Sequence, residues 1–401
     1  MRLLLVSSEF PPGPGGIGTH AYHLATELMS LGWATVVVTA QDYVSENEIA
    51  RFNAAQTFPV VHFSPIPCKP LEAGYRLRIA SQQINKHRPD LVLGTGTRAV
   101  WLTAMLARGH RIPFVAVGHG TEFGTRSLVA RTMSRWAFSH ASAVICVSEF
   151  TRRRMITAGI WPRLSQVIQN GADPDQFTVL PESEVETFRR RIGFPDSRIL
   201  LTVGQVSERK GQVSVISALP LVLKQFPNVH YVIVGLPTKE KEYRALASNL
   251  GVSEHVHFIG RASAEDLPRF VNACEVFVMT SRHTAQGDFE GYGIAVVEAA
   301  LCGKPAVVSA DSGVAEAIID GVTGYAVSPD DPRALSSVLV RLLRDNGLRR
   351  AMGKAARERA TREQTWARRA QEYDRFLRAL LTPQASATLE FFERASRTSA
   401  I

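Results

Sequence analysis

The sequence predicts an α/β protein of two domains, each built on a parallel sheet. Three observations carry that expectation. At 401 residues the chain exceeds the roughly 250–300 residues over which a single core keeps growing. Short apolar runs alternate with helical periodicity along most of its length, the pattern of strand–helix–strand units that build parallel sheets. The alternation breaks once, at the polar, proline-containing stretch from Asp173 to Ser197, and then begins afresh.

The first domain, expected over 1–175, opens with an apolar strand at Arg2–Ser7. A Gly/Pro loop from Pro11 to Gly18, a helical pattern from Thr19 to Leu31 and a second strand at Ala34–Ala40 follow. Further strands fall at Leu91–Leu93, Pro113–Val117 and Ala143–Val147, separated by helical stretches such as Thr97–Arg108 and Arg126–His140, for a sheet of about six strands. The second domain, expected over 198–365, begins with a strand at Arg198–Val203, then Glu208-Arg209-Lys210-Gly211 and a helix. Its other strands are expected at His230–Val234, Val256–Ile259, Val276–Met279, Ala306–Val308 and Tyr325–Val327. From Pro332 to Leu381 the pattern is helical and Arg-rich, and 382–401 has the Ser/Thr and turn character of a loosely held tail.

A hydrophobic fraction of 45% and a charged fraction of 21% are ordinary for a soluble globular chain. Cys68, Cys146, Cys274 and Cys302 form no zinc-like or C-x-x-C spacing and read as reduced thiols of a cytoplasmic protein. Polar Ser7, Ser8 and Glu9 arrive too early for a signal peptide, and no run approaches a membrane span. The net charge of +9 suits nucleic acid, an anionic membrane surface or an anionic small substrate, and equally a set of solvated helical faces.

Gly13, Gly15 and Gly18 satisfy G-x-G-x-x-G after the first strand, with Asp42 placed where a ribose-binding acid of a dehydrogenase would stand. Against that reading, Glu9-Phe10-Pro11-Pro12 separates the first Gly from the strand, whereas a dinucleotide turn needs that Gly at the strand end. The same loop has a second use: backbone N–H groups at Gly15, Gly16 and Ile17 lack obstruction and suit a phosphate or a sugar. A plain Gly/Pro turn accounts for these residues equally well.

The most informative segment is Glu290-Gly291-Tyr292-Gly293-Ile294-Ala295-Val296-Val297-Glu298, followed by Gly303-Lys304-Pro305. Glu290 is expected in a loop and Glu298 about two turns into a helix starting near Tyr292, its side chain leaning back toward the helix N-terminus. That terminus offers free N–H groups and a positive dipole end to a diphosphate. The carboxylates suit ribose and sugar hydroxyls, although Glu298 also fits as a buried partner of an arginine. Arg209 and Lys210 follow a strand C-terminal end, where open α/β sheets bind ligands, and two cations there offset charge on a leaving diphosphate. No D-x-D or His/Cys cluster has convincing metal-ligand spacing, so no metal and no cofactor beyond the nucleotide-sugar co-substrate is expected. His119, in Gly118-His119-Gly120-Thr121-Glu122, emerges at another strand end; it reads as well for a structural histidine as for one touching a ligand.

Together these residues resemble the retaining, two-Rossmann-domain (GT-B) glycosyltransferases of family 4. The resemblance rests on the Gly15-Gly16 loop, Gly118-His119-Gly120, Val147-Ser148-Glu149, Gln169 to Asp173, Gly204 to Gly211, and Glu290 to Glu298. It implies two Rossmann-like domains whose parallel sheets face a central cleft, with the helix 366–381 packing back on the first domain. It also implies that Glu298 holds the ribose, Glu290 and His119 the sugar, Arg209 and Lys210 the diphosphate, the backbone of Gly293 and Ile294 a phosphate, and the backbone from Ile259 to Arg261 the base. Transfer would keep the anomeric configuration, the leaving phosphate oxygen taking the acceptor proton. Two departures stand out: Gly204-Gln205 replaces a frequent Gly-Arg, and Ser312-Gly313-Val314 replaces a frequent Gly-Gly.

The resemblance implies a hexosyltransferase using GDP-mannose, UDP-glucose or UDP-N-acetylglucosamine on a glycan, lipid-linked or small-molecule acceptor, with no nucleic-acid partner. A nucleotide-sugar epimerase or hydrolase on the same fold is the alternative, and a binding module without turnover a third. Arg126, Arg131 and Arg135 recur beside Leu128, Met133 and Trp136, and Arg152-Arg153-Arg154 follows the next strand. That basic amphipathic pattern suits peripheral contact with an anionic membrane on its inner face, and suits a solvated helix as well.

Overall fold

Runs such as Leu3-Leu4-Leu5-Val6 and Val36-Val37-Val38 are apolar on both faces of an extended chain, and a strand of that kind is stable only between two covering layers. In the computed structural model, which describes residues 1–64 and 69–382, they form the centre of a seven-stranded parallel sheet. Its strands are β1 (Arg2–Ser7), β2 (Ala34–Thr39), β3 (Val60–His62), β4 (Leu91–Thr95), β5 (Phe114–Gly118), β6 (Ala143–Cys146) and β7 (Ser165–Val167), in the order β3-β2-β1-β4-β5-β6-β7. The order reverses between β1 and β4, and such a switch point opens a crevice at the strand C-terminal ends. The sheet has seven strands where about six were expected, because β3 and β7 are three-residue edge strands without a long apolar run. The first helix starts at Gly16 and not at Thr19, with Gly15 as its cap at φ 147°.

This first unit comprises residues 1–170 and the segment beginning at Trp366. The last helix, Trp366–Leu381, buries Trp366, Ala370, Tyr373 and Leu377 along one face, at helical spacing. It packs on the first helix, Gly16–Ser30. Trp33 Nε1 donates to Asp374 Oδ1 at 2.7 Å, and Arg378 Nη2 donates to the Leu31 carbonyl at 3.0 Å. The expected tail lies, from residue 383 on, outside the described residues.

The second unit, Gly171–Thr365, has a six-stranded parallel sheet. Its strands are β8 (Arg198–Val203), β9 (Val229–Val234), β10 (Val256–Gly260), β11 (Val276–Met279), β12 (Ala306–Ser309) and β13 (Gly324–Val327), in the order β10-β9-β8-β11-β12-β13. Its switch point lies between β8 and β11. One core cluster, including Leu200, Tyr231, Val278, Val307 and Leu339, fills the space between this sheet and its helices. The stretch after Asp173 carries a helix, Glu182–Arg191, and is tied into this unit: Asn272 Oδ1 accepts from the Leu180 amide at 3.0 Å and Arg189 pairs with Glu275 at 2.6 Å. Cys146, Cys274 and Cys302 are buried and free, and Cys68 lies outside the described residues. Among the described residues no helix is long and apolar enough to cross a membrane.

Candidate active site

In the second unit the chain leaves β8 through a tight loop. Buried Gln212 builds it from inside: its Oε1 accepts from the Ser207 amide at 3.3 Å and its Nε2 donates to the Gln205 carbonyl at 3.0 Å. Glu208–Lys210 is a single 3-10 turn that ends at Gly211 in the left-handed region, φ 70°, before the helix Gln212–Leu223. A Cβ on Gly211 would lie 1.8 Å from the Thr280 carbonyl oxygen, so only glycine lets this loop approach the end of β11. Thr280 Oγ1 closes the contact by donating to the Gly211 carbonyl at 3.0 Å.

This turn delivers Arg209 and Lys210 to Glu290. Lys210 Nζ lies 2.8 Å from Glu290 Oε2 and Arg209 Nη1 bonds the same oxygen. All three are largely withdrawn from water, so their charges are weakly screened. Burial works against the Glu290 carboxylate, but Lys210 and Arg209 outweigh it and hold the group below its usual range. Burial also lowers Lys210, against the pull of Glu290.

Beyond Glu290 the chain turns through Gly293 (φ 86°) into the helix Ile294–Leu301. Because the helix starts at Ile294 and not near Tyr292, Glu298 stands little more than one turn into it, closer to its N-terminus than expected. Burial pushes the Glu298 carboxyl up to about 7, Lys210 opposing. Phe289 and Tyr292, both 1% exposed, anchor the turn, and the Tyr292 hydroxyl accepts from Gln364 Nε2 at 3.0 Å. Gly313 packs against its other side: its amide donates to the Glu290 carbonyl at 3.1 Å, and a Cβ there would fall 1.9 Å from the Gly291 carbonyl oxygen. The departure at Ser312-Gly313-Val314 thus keeps the one glycine that this contact requires. Arg261 follows β10 and is exposed on the same C-terminal edge of the sheet.

In the first unit, His119 follows β5 and bonds through Nε2 to Thr95 Oγ1 at the end of β4, at 2.7 Å. Burial lowers His119 to about 4, so its ring is neutral at pH 7. The amides of His119 and Gly120 donate to Glu122 Oε2 at 3.1 and 2.7 Å and fix the loop. Burial raises Glu122 to about 7, those amides opposing. Gly15 and Gly16 stand at the start of the first helix. A Cβ on Gly15 would lie 2.0 Å from Glu9 Oε2, so a side chain there would collide with that carboxylate.

The candidates therefore form two groups. Arg209, Lys210, Glu290, Gly293, Ile294 and Glu298 converge on one switch-point edge, with Arg261 farther along it; His119, Gly15 and Gly16 belong to the first unit. Sequence reasoning missed Gln212, Thr280 and Gln364, and the anchoring roles of Tyr292 and Gly313, which hold the first group in place, and Thr95, His20 and Tyr373 behind His119. Most of their partners are distant in sequence, 353 positions for His20 and Tyr373, although Gln212 reaches only five and seven positions back; no local motif marks them. Among the described residues no group of three or more His, Cys, Asp or Glu side chains is placed to hold a metal ion.

Two parallel-sheet Rossmann-like units in one chain, each with its switch point, define the GT-B class. The chain belongs to the family-4 glycosyltransferases: residues 14–176 match the family model Glycosyltransferase Family 4 and residues 184–359 match Glycosyl transferases group 1. It is 31% identical over 371 residues to the GDP-mannose-dependent alpha-(1-6)-phosphatidylinositol monomannoside mannosyltransferase of Mycolicibacterium smegmatis, covering 91% of this chain and 95% of that one. It is 27% identical to a glycogen synthase of Mycobacterium tuberculosis, covering 91% and 92%. In structure it resembles Anabaena HepE, solved with UDP and glucose, at a TM-score of 0.81 and 22% identity over 94% of this chain and 100% of that one.

Proposed function

We propose that this protein is a retaining mannosyltransferase that moves mannose from GDP-mannose to a lipid-linked acceptor without a metal ion. The observation that carries the reading is the cluster of Arg209, Lys210 and Glu290 at the switch-point edge, beside a helix N-terminus and Glu298. Two adjacent cations, with the amides that open the Ile294–Leu301 helix, take a diphosphate. Ionised Glu298 accepts from the ribose hydroxyls, the backbone near Arg261 borders the base, and Glu290 meets the sugar, the ligand that the family resemblance also gives His119. The choice of mannose follows the Mycolicibacterium relative, a GDP-mannose-dependent mannosyltransferase, and similar enzymes from Corynebacterium glutamicum and Mycobacterium tuberculosis.

In the reaction, the bond between the anomeric carbon and the β-phosphate oxygen breaks and the acceptor oxygen bonds that carbon on the same face. The acceptor proton passes to the leaving phosphate oxygen, so no protein nucleophile is required. Arg209 and Lys210 stabilise charge that grows on the diphosphate in the transition state, which accelerates the step and not only binding. Peripheral membrane docking belongs to the same reading. The helix Leu128–Ser139 leaves Leu128 and Val129 about three-quarters exposed beside exposed Arg131 and Arg135.

The test is a thermal-shift comparison of GDP, UDP and ADP with EDTA present, followed by transfer of labelled mannose to membrane lipid extract. GDP alone should stabilise the protein by mass action, and the label should enter lipid. A selective response to UDP or ADP refutes the mannose donor; release of free sugar without any acceptor favours a hydrolase. Failure to co-sediment with anionic vesicles at low salt removes the docking step.

A further inference from the structure

The hydroxyl of Tyr373, on the last helix, is buried with its ring, 1% exposed, and has one hydrogen-bond partner among the described residues, His20 Nε2 at 3.0 Å. A buried phenol is a donor that must place its proton, so Tyr373 donates to His20 Nε2. His20 is completely buried, and burial holds it neutral; with Nε2 accepting, its single ring proton resides on Nδ1. That nitrogen faces Thr95 Oγ1 at 3.5 Å, the longest link of the chain. Thr95, 0% exposed, accepts there and has its own proton left for His119 Nε2 at 2.7 Å. His119, neutral by burial as well, then carries its proton on Nδ1. The opposite polarity would make Tyr373 an acceptor and leave its proton without a partner in the core, at the cost of a buried unsatisfied donor.

We propose that Tyr373, acting through His20 and Thr95, holds His119 in its Nδ1–H form, so that His119 meets its ligand as a hydrogen-bond donor and not as a base. Tyr373, His20 and Thr95 are positioning residues. The inference deepens the proposed function and rests on it where it assumes that the ligand of His119 is the transferred sugar; a donor there binds a hydroxyl oxygen and leaves proton transfer to the departing phosphate. The seat of the relay is the packing of the last helix, where Trp366 stacks on His23 with ring centroids 5.2 Å apart and planes 6° apart.

Long-range proton–nitrogen NMR of the full chain carrying [15N]histidine reads the tautomers directly, with His119→Asn and His20→Gln assigning the signals. The expected wild-type result is Nδ1–H at both residues. Tyr373→Phe, which keeps the ring and removes the proton, should convert His119 to a mixture of tautomers, as should Thr95→Val, while Thr95→Ser restores the wild-type pattern. In transfer assays Tyr373→Phe should lower kcat about 3- to 10-fold, the range of one net hydrogen bond, with the donor KM nearly unchanged. An Nε2–H ring at His119 in the wild type, or a tautomer insensitive to Tyr373→Phe, overturns the relay. If the tautomers behave as expected but no nucleotide sugar is turned over, the relay stands and the transferase reading falls.

Discussion

Glu298 gives opposite expectations for stability and for binding, which makes Glu298→Gln the most discriminating substitution. Burial raises its carboxyl from the ordinary 4.5 to about 7, and each tenfold change in ionisation is worth about 1.4 kcal/mol. Holding it ionised in the folded protein therefore costs about 3 kcal/mol. The sign follows from proton linkage: the folded state binds this proton more tightly than the unfolded chain, so stability is lost as pH rises from 4.5 through 7. At pH 8 the cost is nearly complete, whereas at pH 5 it is about 1 kcal/mol. Urea denaturation should thus find Glu298→Gln more stable than wild type by up to about 3 kcal/mol at pH 8 and by less than about 1 kcal/mol at pH 5. The amide cannot accept from two ribose hydroxyls as a carboxylate does. The wild type should gain about 2.7 kcal/mol at GDP concentrations of 100 times Kd, and the variant should gain little. A variant that is less stable at both pH values would mean that Glu298 is satisfied by protein partners, and an undiminished GDP response would remove it from the nucleotide site.

Glu290→Gln leaves Arg209 and Lys210 without their carboxylate, so GDP should bind about tenfold tighter by calorimetry while mannose transfer falls; weaker GDP binding would refute the assignment of those cations to the diphosphate. Gly313→Ala forces a methyl group toward the Gly291 carbonyl, 1.9 Å from the new Cβ. It should cost about 1–3 kcal/mol in denaturation and weaken GDP binding, and an unchanged affinity would separate that loop from the site. Leu377→Ala, at a side chain that is 0% exposed, should cost about 2–5 kcal/mol; a loss under about 1 kcal/mol would show that the last helix is not part of the first unit's core.

The central strands of the second sheet were readable because they are apolar runs buried on both faces, as in Arg198–Val203 and Val276–Met279. Edge strands β3 and β7 were not, since an edge needs less apolar sequence and three residues leave no period to detect. The chemical groups themselves were legible: Arg209, Lys210, Glu290 and Glu298 stood out by type and by the glycines around them. Their mutual geometry was not, because it depends on Gln212 reaching back to Ser207, on Gly211 against Thr280, and on Gly313 against Gly291. Arg152 pairs with Glu149 at 2.7 Å and Arg135 Nη2 donates to the Gly159 carbonyl at 3.3 Å, so neither is simply a free cation.

The two sites handle buried charge differently, and the difference follows from what each has to bind. Around Glu290 two cations face two carboxylates, and with Glu298 titrating near neutrality the cluster carries little net charge before any ligand arrives. An unpaired buried charge is strongly destabilising, so the pairing with Glu290 holds Arg209 and Lys210 in the loop. On the proposed function, an arriving diphosphate would compete for those cations and leave Glu290 with free lone pairs for sugar hydroxyls. On that reading the carboxylate is a counter-ion first and a recognition group second. In the first unit the proposed sugar contact needs no such exchange, because a neutral ligand calls for hydrogen-bond direction and not for charge. His20 and His119 are accordingly kept neutral by burial, with polarity passed along Tyr373, His20 and Thr95 to a single N–H.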